Sequence, residues 1–248
     1  MAPLRSVASD AMDLGLAGKV ALVTAASKGL GRASAQALVD EGASVAINSR
    51  DPEALQATAA ELGPEVLALP ADVTDPESPR RLVEATVERF GALHVVVGNA
   101  GGPPKGRALE VDDATLLEAI NANLLVSVRL VRAALPHMRA AGWGRICLIA
   151  SSSVKQPIPD LATSNTARAG LWGWTKTAAQ DLIDDGITLN LACPGLHATD
   201  RVKDLGFAGR LGDPADFGRV VAFLCSQHAG FISGVALQVD GASTLGLL

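Results

Sequence analysis

The sequence contains no tyrosine and few other aromatic residues. Of its 248 residues, 3% are aromatic, whereas 48% are hydrophobic and 19% are charged. This balance is typical of a folded protein with an aliphatic core. Tyrosine is the only residue that carries a phenol, an acid with a pKa near 10. Any acid–base chemistry of this chain must therefore use another proton donor.

Cysteine is also scarce. The three cysteines, Cys147, Cys193 and Cys225, are odd in number, far apart and set in apolar runs. This pattern excludes a disulfide framework and gives no metal-ligand spacing, so we expect no metal site. We expect three small buried hydrophobic residues in a protein of the reducing cytoplasm.

The chain lacks a basic excess and an obvious targeting or membrane segment. Its net charge is −5, and its 21 Lys and Arg residues are spread along the chain, so nucleic acid is not an expected partner. The N-terminal stretch has no continuous apolar region, and no run of about eighteen apolar residues predicts a membrane helix. We interpret residues 1–16 as a flexible arm.

Short apolar runs rich in Val and Ile alternate with segments of helical period. Near-continuous apolar strands between amphipathic helices indicate a parallel sheet covered on both faces. The prediction is a Rossmann-type, doubly wound α/β fold of about seven strands, formed by one domain over 17–248. The longest predicted helix lies between 112 and 139. The predicted strands are 20–24, 44–49, 66–69, 94–99, 145–151, 188–193 and 236–241.

A glycine-rich turn follows the first predicted strand. The segment reads TAASKGLG, and a helical pattern begins directly after it. Glycines at such a turn let the backbone approach a pyrophosphate, which a helix N-terminus attracts. A turn of this kind also needs glycine for purely conformational reasons, so the motif alone is weak. The candidate phosphate-binding residues are Thr24, Lys28, Gly29, Leu30 and Gly31.

Further motifs follow the glycine-rich turn in order, namely Asp72-Val73, Asn99-Ala100-Gly101, Asn123-Leu124 and Pro194-Gly195 with Thr199. With them, the chain resembles the short-chain dehydrogenase/reductase family over roughly residues 17–245. The turn is similar to the family's TGxxxGxG, with Ala25 in place of the first glycine. The resemblance implies a nicotinamide cofactor, with Asp72 and Val73 along the adenine. It also implies roles for Asn99-Ala100-Gly101, for Asn123 in the long helix, and for Pro194, Gly195 and Thr199 beside the nicotinamide carboxamide.

The end of the second predicted strand bears on the choice of cofactor. An acidic residue there would hold the ribose 2′-hydroxyl of NAD, but the segment is Asn48-Ser49-Arg50. Arg50 and Lys28 can both face a 2′-phosphate, which favours NADP(H) over NAD(H). The alternative is that both are solvated surface charges.

The family's catalytic tyrosine and lysine correspond here to Ser164 and Arg168. Ser151 lies thirteen residues before Ser164, at the family's serine position. Arg168 can stabilise an oxyanion but stays protonated, and a serine hydroxyl is a far weaker acid than a phenol. Ser164 is equally well interpreted as the N-cap of a helix that begins near Asn165.

Two other side chains are candidate proton donors. His197 follows the presumed nicotinamide loop and has a suitable ordinary pKa, although an exposed loop histidine is the alternative. Lys155 can reach the cleft from the loop after the fifth strand, and a solvated lysine is the alternative.

The resemblance is to a divergent β-ketoacyl-acyl-carrier-protein-reductase-like subgroup that lacks the catalytic tyrosine. It implies an atypical NADP(H)-dependent oxidoreductase that acts on a ketone or β-ketoacyl-like substrate, small or carrier-bound. Two alternatives remain open, namely a non-redox enzyme of cyclase or dehydratase type and a non-catalytic partner subunit. A homo-dimer or homo-tetramer is expected, with no membrane partner.

Overall fold

Seven parallel strands form one sheet in the computed structural model, which describes residues 12–203, 207 and 209–246. The order across the sheet is β3-β2-β1-β4-β5-β6-β7. The strands are β1 (Val20–Val23), β2 (Ser44–Ser49), β3 (Leu67–Pro70), β4 (Val95–Gly98), β5 (Gly144–Ile149), β6 (Ile187–Pro194) and β7 (Ala236–Val239). The predicted doubly wound sheet and all seven strand positions are confirmed.

The order of the strands reverses between β1 and β4, where Val23 pairs with Val97. Both strands are fully buried, as expected for central strands covered on both faces. In open α/β sheets, ligands bind in the crevice outside the carboxyl ends of the strands at such a reversal. The loops after β1 and β4 are therefore the first place to look for a site.

Helices cover both faces of the sheet. The helices are α1 (Gly29–Asp40), α2 (Pro52–Leu62), α3 (Ser78–Phe90), α4 (Asp113–Ile120), α5 (Val126–Ala141), α6 (Ala162–Leu182), α7 (Asp200–Lys203) and α8 (Pro214–Leu224). One hydrophobic core lies under α1, α2 and α8 and contains Leu38, Leu55 and Phe217. The other lies under α3, α5 and α6 and contains Leu130 and Leu171.

The long predicted helix is confirmed, but it contains a π-helical turn. The turn Asn121–Leu125 joins α4 to α5, and the amide of Val126 donates to the carbonyl of Asn121. By length and composition, the combined helix Asp113–Ala141 could cross a membrane, with 33% of its most apolar window buried. A single helix of this kind is weak evidence for a membrane span, because core helices of soluble proteins share the same composition.

Residues near both ends of the described part of the chain contact the rest of the fold. Residues 1–11 of the predicted arm lie outside the described residues, whereas Leu16 is fully buried and the amide of Gln227 donates to the carbonyl of Leu14 over 3.0 Å. The last part of the predicted arm is therefore packed, which corrects that boundary. Near the other end, the amide of Leu245 donates to Oε1 of Gln156 over 2.9 Å.

The three cysteines are fully buried and free, as expected from their apolar surroundings. Burial raises the pKa of Cys193 to about 11 and that of Cys225 to about 12. Burial also raises the pKa of the Cys147 thiol well above its ordinary value. These thiols stay protonated near neutral pH and contribute to the core by packing.

Candidate active site

The glycine-rich turn after β1 packs too tightly at Gly31 for a side chain. A β-carbon added to Gly31 would lie 2.3 Å from the carbonyl oxygen of Ala25 and 2.9 Å from Nδ2 of Asn99. Gly29 has a φ of +60°, and Ala25 adopts a φ of +47° in the left-handed region, which disfavours a β-carbon. The turn thus keeps the shape that the family's first glycine would favour, at a cost in strain at Ala25.

Thr24 and Asn99 join the ends of β1 and β4. The hydroxyl of Thr24 donates to the carbonyl of Asn99 over 2.7 Å and accepts from the amide of Asn99 over 2.8 Å. The side chain of Asn99 also donates to the carbonyl of Ala25. Ala100 is half-buried and Gly101 is exposed, so this backbone opens towards the crevice at the strand reversal.

The end of β2 carries an exposed cation beside a carboxylate. Hydrogen bonds from Thr74, and next the nearby charge of Arg50, hold the pKa of Asp72 below its ordinary value. Asp51, the closest acidic residue in sequence, caps α2 by accepting from the amides of Glu53 and Ala54. Its carboxylate is therefore engaged by the helix, whereas the exposed Arg50 next to it presents a positive charge at the strand end.

The loop after β6 returns to the glycine-rich turn. A β-carbon built on Gly29 would lie 3.6 Å from the methyl group of Thr199. Gly195 packs against Asp240, because an added β-carbon would approach the Asp240 backbone to 2.7 Å. The structure therefore brings the predicted residues of this loop to the same edge as the turn after β1.

Arg168 and Asn123 form a buried pair at the other side of this edge. Arg168 is 7% exposed and Asn123 is 2% exposed. The guanidinium donates to the carbonyl of Ile149 over 2.8 Å and to Oδ1 of Asn123 over 3.1 Å. Asn123 donates in turn to the carbonyl of Ala119 within the helix. A permanent positive charge is thus fixed at the end of β5.

Ser151 lies two residues after the end of β5 and is the N-cap of a 3₁₀ turn, Ser152–Val154. Its hydroxyl accepts from the amide of Ser153 over 3.1 Å, which fixes the side chain at the strand end. Since Arg168 binds the carbonyl of Ile149, two residues earlier, the sequence-predicted serine and cation converge on the same strand end.

Ser164 lies inside α6 rather than at its N-cap, which corrects that interpretation. The helix begins at Ala162, and the amide of Asn165 already donates to the carbonyl of Leu161 over 2.8 Å. The helix starts early because the preceding loop pairs with Gly106, whose carbonyl accepts from the amide of Ala162. Ser164 is 6% exposed and shares a helix face with Arg168, four residues on.

His197 is 5% exposed, so the interpretation as an exposed loop residue is wrong. Its ring packs edge-on against Phe217, with the ring centroids 5.2 Å apart, and lies against Gly212. Phe217 belongs to the core under α1, α2 and α8, whereas Arg168 lies on α6 across the sheet. Nδ1 of the ring lies 3.3 Å from the carbonyl oxygen of Gly195, and the role of His197 as a proton donor stays a prediction.

Two features near the site were not predicted. The ammonium of Lys155 lies 3.8 Å from the centre of the Trp172 ring, so this lysine packs on an aromatic ring and is not fully solvated. Trp172 lies four residues after Arg168 on the same helix face, a spacing that was visible in the sequence. Asn121, in the π-helical turn, was also missed, although it lies two residues before Asn123.

The comparisons with known proteins agree on one kind of protein. A family model described as "Enoyl-(Acyl carrier protein) reductase" matches residues 24–244. The chain is 34% identical over 239 residues to the 3-oxoacyl-[acyl-carrier-protein] reductase FabG of Vibrio cholerae, a match that covers 92% of this chain and 98% of the relative. It is 31% identical over 245 residues to human dehydrogenase/reductase SDR family member 4, covering 92% of this chain and 88% of the relative.

The fold of the chain is also similar to that of a solved reductase structure. L-sorbose reductase from Gluconobacter frateurii, complexed with NADPH and L-sorbose, superimposes with a TM-score of 0.88 at 32% sequence identity. The superposition covers 94% of this chain and 100% of the other. The similarity therefore extends over the strands and loops that carry the candidate site.

Proposed function

The chain belongs to the short-chain dehydrogenase/reductase family, and from that premise we propose that it is an NADP(H)-dependent carbonyl reductase that works without the family's catalytic tyrosine. Its relatives are oxidoreductases by name, which supports an enzyme of that class. The sequence contains no tyrosine, so the proton at the carbonyl oxygen must come from another group.

The residues at the strand reversal fit a nicotinamide cofactor, because the turn after β1 leads into the N-terminus of α1, where Lys28 is exposed and Gly29 is half-buried. A reduced nicotinamide cofactor supplies a hydride when bound. Thr24, Lys28, Gly29, Leu30 and Gly31 would hold its phosphates, at the N-terminus of α1. Asp72 and Val73 would hold its adenine. The backbone of Asn99, Ala100 and Gly101 would line the site in which the cofactor lies. The loop residues Pro194, Gly195 and Thr199 would hold its carboxamide.

The preference for NADP(H) is supported by the charge at the end of β2. Arg50 is exposed there, Lys28 is exposed at the start of α1, and Asp51 is engaged as the cap of α2. A cation attracts a 2′-phosphate, whereas a free carboxylate would repel it. The similar structure of L-sorbose reductase contains NADPH.

The observation that carries the proposed chemistry is the hydrogen bond between Arg168 and Asn123 beside Ser151. A buried, fixed guanidinium stabilises negative charge that develops on a carbonyl oxygen as it is reduced. Ser151 would orient that oxygen by hydrogen bonding, and Asn123 keeps the guanidinium in place. Ser164 or a water molecule beside it would supply the proton, since Arg168 remains protonated.

The proposed substrate is a ketone or a β-ketoacyl-like compound, because relatives are named for reducing 3-oxoacyl-acyl-carrier-protein and L-sorbose. The cyclase, dehydratase and partner-subunit alternatives are not favoured, since these named relatives are reductases. We further propose a single catalytic domain, a cytoplasmic location and a homo-oligomeric state.

Titration with NADPH, followed by fluorescence, tests the proposal first. We expect saturable binding at micromolar to millimolar cofactor. NADPH oxidation is then measured with acetoacetyl thioesters, keto sugars and polycyclic ketones. Arg168→Ala should lower turnover of the best substrate about 100-fold, as for loss of an oxyanion donor. The matched control Arg132→Ala changes an exposed arginine of α5 and should have little effect. Absence of NADPH binding, or binding without oxidation on any ketone, would overturn the proposed function.

A further inference from the structure

A chain of hydrogen bonds connects the proposed adenine-binding loop to the long helix. Asp72 accepts from the amide of Thr74 over 2.9 Å and from its hydroxyl over 2.8 Å. The carbonyl of Thr74 accepts from Nδ2 of Asn121 over 3.1 Å, and Oδ1 of Asn121 accepts from Nη1 of Arg129 over 2.6 Å. Asn121 therefore joins a loop and a helix that are far apart in sequence.

The partners of Asn121 determine the orientation of its amide. A carbonyl can only accept, and a guanidinium can only donate. The nitrogen of Asn121 must therefore face Thr74, and its oxygen must face Arg129. This arrangement uses both ends of the side chain, so neither end can change partner without breaking the other contact.

Asn121 and Asn123 belong to the same π-helical turn but have partners on different elements. Asn121 binds the loop after β3, whereas Asn123 binds Arg168 on α6. The turn is closed by the bond from the amide of Val126 to the carbonyl of Asn121. The side chain that binds Thr74 and the backbone carbonyl that closes the turn thus belong to one residue, Asn121. Single π-helical turns of this kind occur frequently at functional sites.

We propose that Asn121 is a positioning residue that links the state of the loop 72–74 to the Asn123–Arg168 pair. The inference rests on the proposed function in one respect only, namely that the ligand bound at the loop is a nucleotide. Occupation of the loop orders Thr74, Thr74 holds Asn121, and Asn121 keeps the π-helical turn in the shape that presents Asn123 to Arg168. Binding at one side of the crevice thereby determines the position of the Arg168 guanidinium at the other side.

The link can be measured without cofactor by hydrogen exchange of the Val126 amide, which reports closure of the turn. Asp72→Ala removes the acceptor that orders Thr74. Asn121→Asp keeps an acceptor for Arg129 but cannot donate to the carbonyl of Thr74. We expect Asp72→Ala to speed Val126 exchange about 5-fold in the wild-type background, at the lower end of usual coupling between sites. In the Asn121→Asp background, Asp72→Ala should have no further effect. Equal effects in both backgrounds, or none in the wild type, would refute the link.

A second variant protects the test against a simple folding defect. Arg129→Ala removes the donor that orients the Asn121 amide and should also weaken the effect of Asp72→Ala on Val126. Arg132→Ala, an exposed arginine on the same helix, should leave that effect unchanged. If both arginine variants weaken the effect of Asp72→Ala on Val126 exchange equally, the link is contradicted, because the cause is then a general change in the helix.

Addition of NADPH to the same proteins separates this inference from the proposed function. Saturating NADPH should slow Val126 exchange in the wild type and should slow it less in Asn121→Asp. A wild type that binds NADPH without slower Val126 exchange contradicts the link alone. A wild type that does not bind NADPH contradicts the proposed function, and the cofactor-free comparison then still decides whether the link exists.

Discussion

Arg168 donates a hydrogen bond from Nη2 to Oδ1 of Asn123 over 3.1 Å, so α6 and the π-helical turn are joined at the proposed catalytic centre. A guanidinium can bind in two directions at once, and here its Nη1 atom also binds the carbonyl of Ile149. The pair is well suited to holding a charge still and is unsuited to passing a proton. Reduction of a carbonyl therefore needs a proton donor other than Arg168 and Asn123.

Ser164→Tyr should raise the rate of carbonyl reduction. A phenol at this position would lie one helical turn from the Arg168 guanidinium, whose charge favours its ionised form. General acid catalysis commonly contributes about 100-fold or more, and we expect an increase near that lower value. Steady-state NADPH oxidation measures it. Ser164→Phe is the matched control because it adds the ring without the hydroxyl, and equal rates for the two variants would refute the role of the acid.

Arg50→Glu should weaken binding of NADPH more than binding of NADH. The change replaces an exposed cation at the end of β2 with an anion, which repels a 2′-phosphate and can accept from a ribose hydroxyl. We expect the ratio of the two dissociation constants to move by about 10-fold or more, because one close charge–phosphate contact is worth about 1–3 kcal/mol. Fluorescence titration with both cofactors measures the ratio. An unchanged ratio would show that Arg50 is a solvated surface charge.

Ala25→Gly should stabilise the protein by about 0.5–1 kcal/mol. The left-handed conformation of Ala25 costs about 1–2 kcal/mol, and glycine adopts it freely, although the more flexible unfolded chain offsets part of the gain. Urea unfolding measures the free energy. Ala33→Gly, in the middle of α1, is the control and should destabilise the protein by about 1 kcal/mol. A loss of stability in both variants would contradict the inferred strain.

The stability of the protein should fall as the pH is lowered below about 6.5, partly through His94. Burial, and next the charge of Lys19, hold the pKa of His94 below its ordinary value. The unfolded chain therefore binds the proton more readily, so the contribution of His94 is present above about pH 6.5 and is lost as the pH falls towards the lowered pKa. The ring nitrogen Nδ1 also accepts from the amide of Val20 over 3.0 Å, which protonation would prevent.

Urea unfolding between pH 7.5 and pH 5.5 measures this dependence. His94→Asn should flatten it, because an amide oxygen can still accept from Val20 but does not titrate. Lys19→Gln should flatten it partly, since it removes the second cause of the lowered pKa. A dependence that is the same in all three proteins would contradict the assignment to His94.

The parts of the fold that depend on local chemistry were predictable from the sequence. The apolar runs predicted the strands, and the glycines at positions 29 and 31 predicted the turn after β1. The strain at Ala25 also follows from sequence, since a β-carbon stands where the family's pattern has glycine. These features are set by residues within a few positions of each other.

The parts that depend on distant packing were not predictable. His197 looked exposed because nothing near it in sequence covers it, and it is Phe217 on α8 that does so. Ser164 looked like a helix cap because the pairing of Gly106 with the loop before α6 is invisible locally. The π-helical turn was missed because one residue inserted in a long helix barely disturbs the apolar period.

The contact between Leu245 and Gln156 has a practical consequence for handling the protein. Gln156 lies in the loop between Ser151 and Ser164, and its side chain accepts from the backbone of the C-terminal segment. A substitution near Leu245 that displaces its amide would remove this hydrogen bond and leave the Gln156 side chain without that donor. Variants of the C-terminal segment are therefore best checked for activity as well as for stability, because the loop they contact connects the two serines.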